Sequence, residues 1–108
     1  MKNITAVFGT RPEAIKMCPL VNELKGRKSL CTSVCVSGQH KNMLYDVLDE
    51  FGVVSDIDMN IMRDGQTLFD ITASVLLGTR AALEALNTDL LLVHGDTSTA
   101  FAAALAAF

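Results

Sequence analysis

Two stretches of this chain place charged side chains directly after a short apolar run that ends in a glycine. The first run, Ile4–Phe8, leads to Arg11, and Lys16 follows five residues later. The second run, residues 90–93, leads to Asp96. Open α/β sheets bind their ligands where strands end and helices begin. Both junctions are therefore candidate functional sites.

The first junction has the composition of an anion-binding site. Arg11 carries a guanidinium group that can hold a phosphate through two hydrogen bonds, and Lys16 adds a second positive charge. The exposed amides of a helix N-terminus contribute partial positive charge at the same place. The pattern predicts binding of a phosphate or diphosphate. The alternative is that both residues are ordinary surface charges.

Asp96 has two compatible roles at the second junction. It can cap the helix that begins at Thr97, or it can act as a general acid or base in a cleft. His94 and His40 do not stand at a metal-ligand spacing from it, so we expect no metal site. The chain also lacks the glycine-rich motifs that indicate dinucleotide or nucleoside triphosphate binding.

Composition limits the class of protein and its partners. The 108 residues suffice for one small domain, and with half of them hydrophobic the chain is expected to fold. A formal net charge of −3 argues against a nucleic-acid partner, and no segment is long enough to span a membrane. Three cysteines without a CxxC pair, in a chain without a secretory signal, predict a reducing, cytoplasmic location.

Apolar periodicity predicts strands that alternate with helices. The predicted strands are Ile4–Phe8, Leu30–Val36, Ile57–Met59 and Asp89–His94, and the predicted helices are Glu13–Leu24, Met43–Phe51, Thr67–Leu86 and Thr97–Phe108. This alternation predicts an α/β fold, a Rossmann-like parallel sheet with helices on both faces. Because the last strand is the most apolar, we expect it to be central.

Three local signals concern the ends of helices. Thr10 and Glu13 have the spacing of a capping box. Pro19 lies inside the first predicted helix, which must therefore either bend there or start afresh after it. The apolar segment 100–108 contains no helix stop signal, which predicts that the chain is part of a longer protein.

Four segments in this order carry a family resemblance. They are Phe8–Met17 with its Gly-Thr-Arg-Pro-Glu run, Gly38–His40 followed by Met43-Leu44, Asn60–Met62 with Gln66–Leu68, and Val93–Thr97. Together they resemble the non-hydrolysing UDP-N-acetylglucosamine 2-epimerases, and the likeness extends along all 108 residues.

The resemblance implies an enzyme with two Rossmann-like domains in a GT-B arrangement, in which residues 1–108 are the incomplete N-terminal part of the first domain. It implies reversible conversion of UDP-N-acetylglucosamine to UDP-N-acetylmannosamine by elimination and re-addition of UDP, with no cofactor, in a homodimer. Arg11 and Lys16 match residues that bind the UDP-sugar, and Asp96 matches a catalytic carboxylate. The chain alone is then expected to be inactive.

Two other functions remain open at this point. One is 2-epimerisation of a different UDP-2-acetamido sugar, and the other is a non-catalytic α/β module that binds a sugar nucleotide. Some members of the resembled family also bind an activating UDP-N-acetylglucosamine, through a glutamine three residues after the position of Gln39 and an arginine before Gln66. This chain has Asn42 and Gly65 at those points, so the resemblance does not carry the activator site over.

Overall fold

Four parallel strands form one sheet in the order β3-β2-β1-β4. The computed structural model describes residues 2–38, 41–61, 65–95 and 98–108, with 41–43 and 98 as backbone only. The strands are β1 (Lys2–Phe8), β2 (Leu30–Val36), β3 (Ile57–Asp58) and β4 (Leu90–Leu92). The helices are α1 (Arg11–Lys25), α2 (Lys41–Phe51), α3 (Leu68–Ala85) and α4 (Ser98–Ala107).

Alternate residues of β1 face two separate hydrophobic layers. Ala6 and Phe8 pack in a cluster with buried residues of α1 and α2. Val7 points the other way, into a cluster with Ala82 of α3 and Ala103 of α4. Because successive side chains of a strand alternate between faces, one strand supplies both layers. The predicted Rossmann-like sheet with helices on both faces is confirmed.

Among the described residues β4 does not have the central position expected for it. Within the described residues β4 pairs with β1 alone and lies at the edge of the sheet, while β1 and β2 are the inner strands. Leu90 is 54 % exposed for this reason. The apolar character of the segment predicted burial, but strand order depends on which strands pair and not on hydropathy.

Helix α1 continues through Pro19, so a fresh start after this residue is excluded. The helix begins with the capping box of Thr10 and Glu13, as predicted. Pro19 and Ile15 both lie on the exposed side of α1. Water can therefore reach the Ile15 carbonyl, to which a proline cannot donate.

Candidate functional site

A buried carboxylate fixes the junction between β1 and α1. Glu13 is 3 % exposed. Its Oε1 accepts hydrogen bonds from the Gly9 amide at 3.1 Å, and from the Thr10 amide and hydroxyl at 3.0 Å each. The amides of Gly9 and Thr10 are thus already bonded to the protein. The expectation that helix-mouth amides stand open to an anion is wrong for these two groups.

Arg11 and Lys16 are both exposed, and both lie on α1. With about 100° and 1.5 Å per helical residue, five residues separate them by about 140° around the axis and about 7.5 Å along it. The two cations therefore diverge from one helix. This geometry does not favour a single phosphate group held by both side chains.

Arg11 lines a groove of about 270 Å³ between α1 and α2. Ile15 and Val47 form its apolar lining, and Asp46 and Glu50, one turn apart on α2, bring two carboxylates to it. Negative charge on α2 disfavours an anion deep in this groove. An anionic ligand is therefore expected to approach Arg11 from the carboxyl ends of the strands.

The register between β1 and β4 brings the two candidate junctions to one edge of the sheet. Ala6 pairs with Leu92, and both strands run in the same direction. Gly9 and Gly95 each follow three residues after this pair, so both connections leave the same edge beside each other. Asp96 itself lies outside the described residues, as do Gln39 and His40. The convergence of Asp96 with Arg11 and Lys16 stays a prediction.

A second polar cluster lies at the ends of β2 and β3. The Asp58 carboxylate accepts a hydrogen bond from the Tyr45 hydroxyl at 2.6 Å and another from the Asn60 amide at 2.8 Å. Gly38, which follows β2 with φ of +84°, lies against Asp58 and Asn60. This cluster was not predicted from the sequence. The only local indication of it in the sequence is the Asp-x-Asn spacing of residues 58 and 60 after a strand.

Replacing Tyr45 by phenylalanine is expected to destabilise the full-length protein by about 1 kcal/mol near neutral pH, the scale of one partly exposed hydrogen bond. The hydrogen bond to Asp58, and next burial, raise the pKa of Tyr45, while a bond to Ser55 opposes them. A raised pKa means that this stabilisation is complete below the unfolded value of about 10 and is lost as pH rises through the folded value. Urea unfolding of both proteins from pH 7 to 11 measures the difference. A difference that stays constant to pH 11 contradicts the assignment.

The three cysteines offer no reactive centre at this site. None is in a disulfide; Cys18 and Cys35 are buried and Cys31 is exposed. Burial, followed by the charges of Asp58 and Asp56, raises the pKa of Cys35 to about 12. Cys35 is therefore a neutral thiol at physiological pH. Among the residues that the structure describes, no group of three or more histidine, cysteine or acidic side chains could hold a metal ion.

Parallel strands with helices on both faces define a Rossmann-like α/β fold, a class whose ligands usually bind at the carboxyl ends of the strands. The family model described as UDP-N-acetylglucosamine 2-epimerase matches residues 22–108. The chain therefore belongs to the UDP-N-acetylglucosamine 2-epimerase family, as the resemblance predicted.

Curated relatives match the entire chain. A probable UDP-N-acetylglucosamine 2-epimerase of Ralstonia solanacearum is 51 % identical over all 108 residues, which cover 29 % of that relative. The UDP-N-acetylglucosamine 2-epimerase of Campylobacter jejuni is 49 % identical over the same residues, or 28 % of its length. The chain thus spans less than a third of the length of these relatives.

Solved structures agree with the fold. The crystal structure of the Neisseria meningitidis UDP-GlcNAc 2-epimerase bound to UDP-GlcNAc superposes with a TM-score of 0.94 and 46 % identity, covering 98 % of this chain and 29 % of that one. A Staphylococcus aureus protein, MnaA, in a co-structure with UDP gives a TM-score of 0.93 and 47 % identity, covering 99 % of this chain and 28 % of that one. The sheet order seen here is thus embedded in larger sugar-nucleotide enzymes.

Proposed function

We propose that the protein to which this chain belongs interconverts UDP-N-acetylglucosamine and UDP-N-acetylmannosamine by reversible epimerisation at C2. The observation that carries this proposal is the 49–51 % identity, over every residue of the chain, to relatives described as UDP-N-acetylglucosamine 2-epimerases. The similar Neisseria structure has UDP-GlcNAc bound. These likenesses support a UDP-sugar as the substrate.

The proposed reaction needs acid–base groups and positive charge but no redox cofactor. A base removes the C2 proton, the C1–oxygen bond breaks, and UDP leaves with the bonding electrons, which gives a glycal with a C1=C2 double bond. Protonation of C2 on the opposite face and attack of the UDP oxygen on C1 complete the exchange. At least two acid–base groups are needed because the proton leaves and returns on different faces.

Three residues of this chain have roles in that scheme. Arg11 and Lys16 are assigned to binding of the UDP-sugar. Positive charge also stabilises the negative charge that develops on departing UDP. Asp96, which directly follows Gly95 in the sequence, is the acid–base group that this chain contributes.

The remaining acid–base group and the uridine site are assigned to the rest of the protein. Residues 1–108 form the incomplete N-terminal part of the first of two Rossmann-like domains in a GT-B-like arrangement, and are inactive alone. The relatives are more than three times as long, which supports this division. Assay of the chain alone and of the full-length protein tests it, and activity of the chain alone contradicts it.

The whole protein is further assigned as a cytoplasmic homodimer. Large apolar side chains exposed on α3 and α4 support a homodimer: Leu68, Phe69, Leu77, Phe101 and Leu105. Light scattering that gives a monomer mass contradicts this, and shows instead that the protein's own further segments cover these helices. The unpaired cysteines support a reducing compartment, and cell fractionation tests that location. None of the helices among the described residues is long and apolar enough to cross a membrane.

Exchange of the C2 hydrogen with solvent tests the proposed reaction. The full-length protein, incubated with UDP-N-acetylglucosamine in heavy water, is expected to produce UDP-N-acetylmannosamine and to place one deuterium at C2 of the sugar. Mass spectrometry and proton NMR measure both. Epimer formation without deuterium uptake excludes proton exchange with solvent at C2. Absence of any epimer contradicts the proposed function.

A further inference from the structure

The Glu13 carboxylate lies where the N-terminus of a helix ordinarily receives an anion. Besides the three hydrogen bonds that it accepts from Gly9 and Thr10, the Glu13 amide donates to the Thr10 hydroxyl at 3.5 Å. The Ala14 amide donates to the Thr10 carbonyl at 3.0 Å, and Pro12 has no N–H. The amides of Gly9, Thr10, Glu13 and Ala14 are therefore committed within the protein, and the Arg11 amide is the first-turn donor left outside these hydrogen bonds among the described residues.

A ligand phosphate cannot share these amides easily with Glu13. The carboxylate and the phosphate carry the same sign, and each N–H group donates one strong hydrogen bond. Recognition of a diphosphate at this junction then falls chiefly to a cationic side chain. Arg11 is the cationic residue nearest to this junction in the sequence. It directly follows the N-cap residue Thr10 and is the first residue of α1.

The same contacts hold the backbone from which Arg11 projects. Thr10 is bonded to Glu13 through its amide, its hydroxyl and the return bond from the Glu13 amide. Gly9 is tied to the same oxygen at the end of β1. A guanidinium that starts from a fixed backbone loses less conformational entropy when it binds a ligand.

We propose that Glu13 is a positioning residue for Arg11: its buried carboxylate occupies the Gly9 and Thr10 amides and fixes the turn, so that Arg11, chiefly through its guanidinium, binds the diphosphate of the substrate. This inference rests on the proposed function, because it gives Arg11 a diphosphate ligand. A residue that only stabilises the fold does not predict coupling between Glu13 and Arg11 in ligand affinity.

A double-mutant cycle with UDP as the probe tests this proposal. Isothermal titration calorimetry on the full-length protein compares wild type, Glu13→Ala, Arg11→Ala and the double variant. Each single change is expected to weaken UDP binding roughly 10- to 100-fold, the size of one charge-assisted hydrogen bond. The double variant is expected to bind no more weakly than Arg11→Ala, because Glu13 acts through Arg11.

Two further variants separate positioning from folding. Glu13→Gln keeps an oxygen that can accept from Gly9 and Thr10, so it is expected to recover part of the lost affinity, and the cycle can be repeated with it if Glu13→Ala does not fold. Glu23→Gln removes the same charge from an exposed site on α1, where Glu23 pairs only with Arg27 among the described residues, and is expected to leave UDP affinity unchanged.

The outcomes distinguish this inference from the proposed function. If wild type binds UDP but the losses from Glu13→Ala and Arg11→Ala multiply in the double variant, the positioning role is wrong while the proposed function stands. An unchanged UDP affinity in Glu13→Ala likewise contradicts the positioning role and leaves the proposed function standing. If the wild-type protein binds no UDP, both proposals fail.

Discussion

Replacing Asp96 by asparagine in the full-length protein is expected to lower kcat for epimerisation by about 10²- to 10⁴-fold, the range for removal of a general acid–base group. The asparagine keeps the size and the hydrogen-bonding oxygen of the side chain but cannot exchange a proton at neutral pH. UDP affinity is expected to change little, because Arg11 and Lys16 bind the nucleotide in this proposal. Steady-state kinetics and calorimetry with UDP separate the two effects.

The unfolding free energy of the same variant distinguishes a catalytic role of Asp96 from a purely structural one. Asparagine caps a helix as well as aspartate does, so the unfolding free energy is expected to stay within about 0.5 kcal/mol of wild type, the range of a neutral substitution. Asp49→Asn, an exposed change on α2, is the matched control and is expected to retain full activity. A kcat within fivefold of wild type, with normal folding, removes Asp96 from the catalytic residues.

Local sequence signals predicted the first junction well. The apolar run before Gly9, the threonine cap and the glutamate three residues later all act over neighbouring residues, and the structure has β1, the turn and α1 where those signals placed them. The depth at which Glu13 is buried could not be predicted in the same way. It depends on the packing of α1 against the sheet, which a spacing of three residues does not encode.

Most of what the sequence did not predict involves contacts between residues far apart in the chain; the bonds from Gly9 and Thr10 to Glu13 are the local exception. The place of β4 depends on its pairing with β1, more than 80 residues away. The cluster around Asp58 needs Tyr45 from α2 and Asn60 from the connection after β3. Hydropathy and periodicity report one segment at a time. They therefore predicted the elements but not the contacts between them.

Replacing Gly38 by alanine is expected to destabilise the full-length protein by about 2–5 kcal/mol. A φ of +84° costs a side-chain-bearing residue about 1–2 kcal/mol. The new Cβ also lies 2.9 Å from the Asp58 carboxylate and 3.0 Å from the Asn60 Cα, and crowding of this kind adds about 1–3 kcal/mol. Because Asn60 meets the Cβ with backbone atoms, a rotamer change of a side chain cannot relieve the crowding. Urea unfolding monitored by circular dichroism measures the loss.

Gly52→Ala is the matched control, because it separates the free-energy cost of a positive φ from the cost of steric crowding around the added Cβ. Gly52, just after α2, has a similar φ of +69° but no heavy atom within 4 Å of the added Cβ, so only about 1–2 kcal/mol is expected. The difference between the two variants then measures how closely the ends of β2 and β3 approach. Equal losses in both contradict the packing of Gly38 against Asp58 and Asn60.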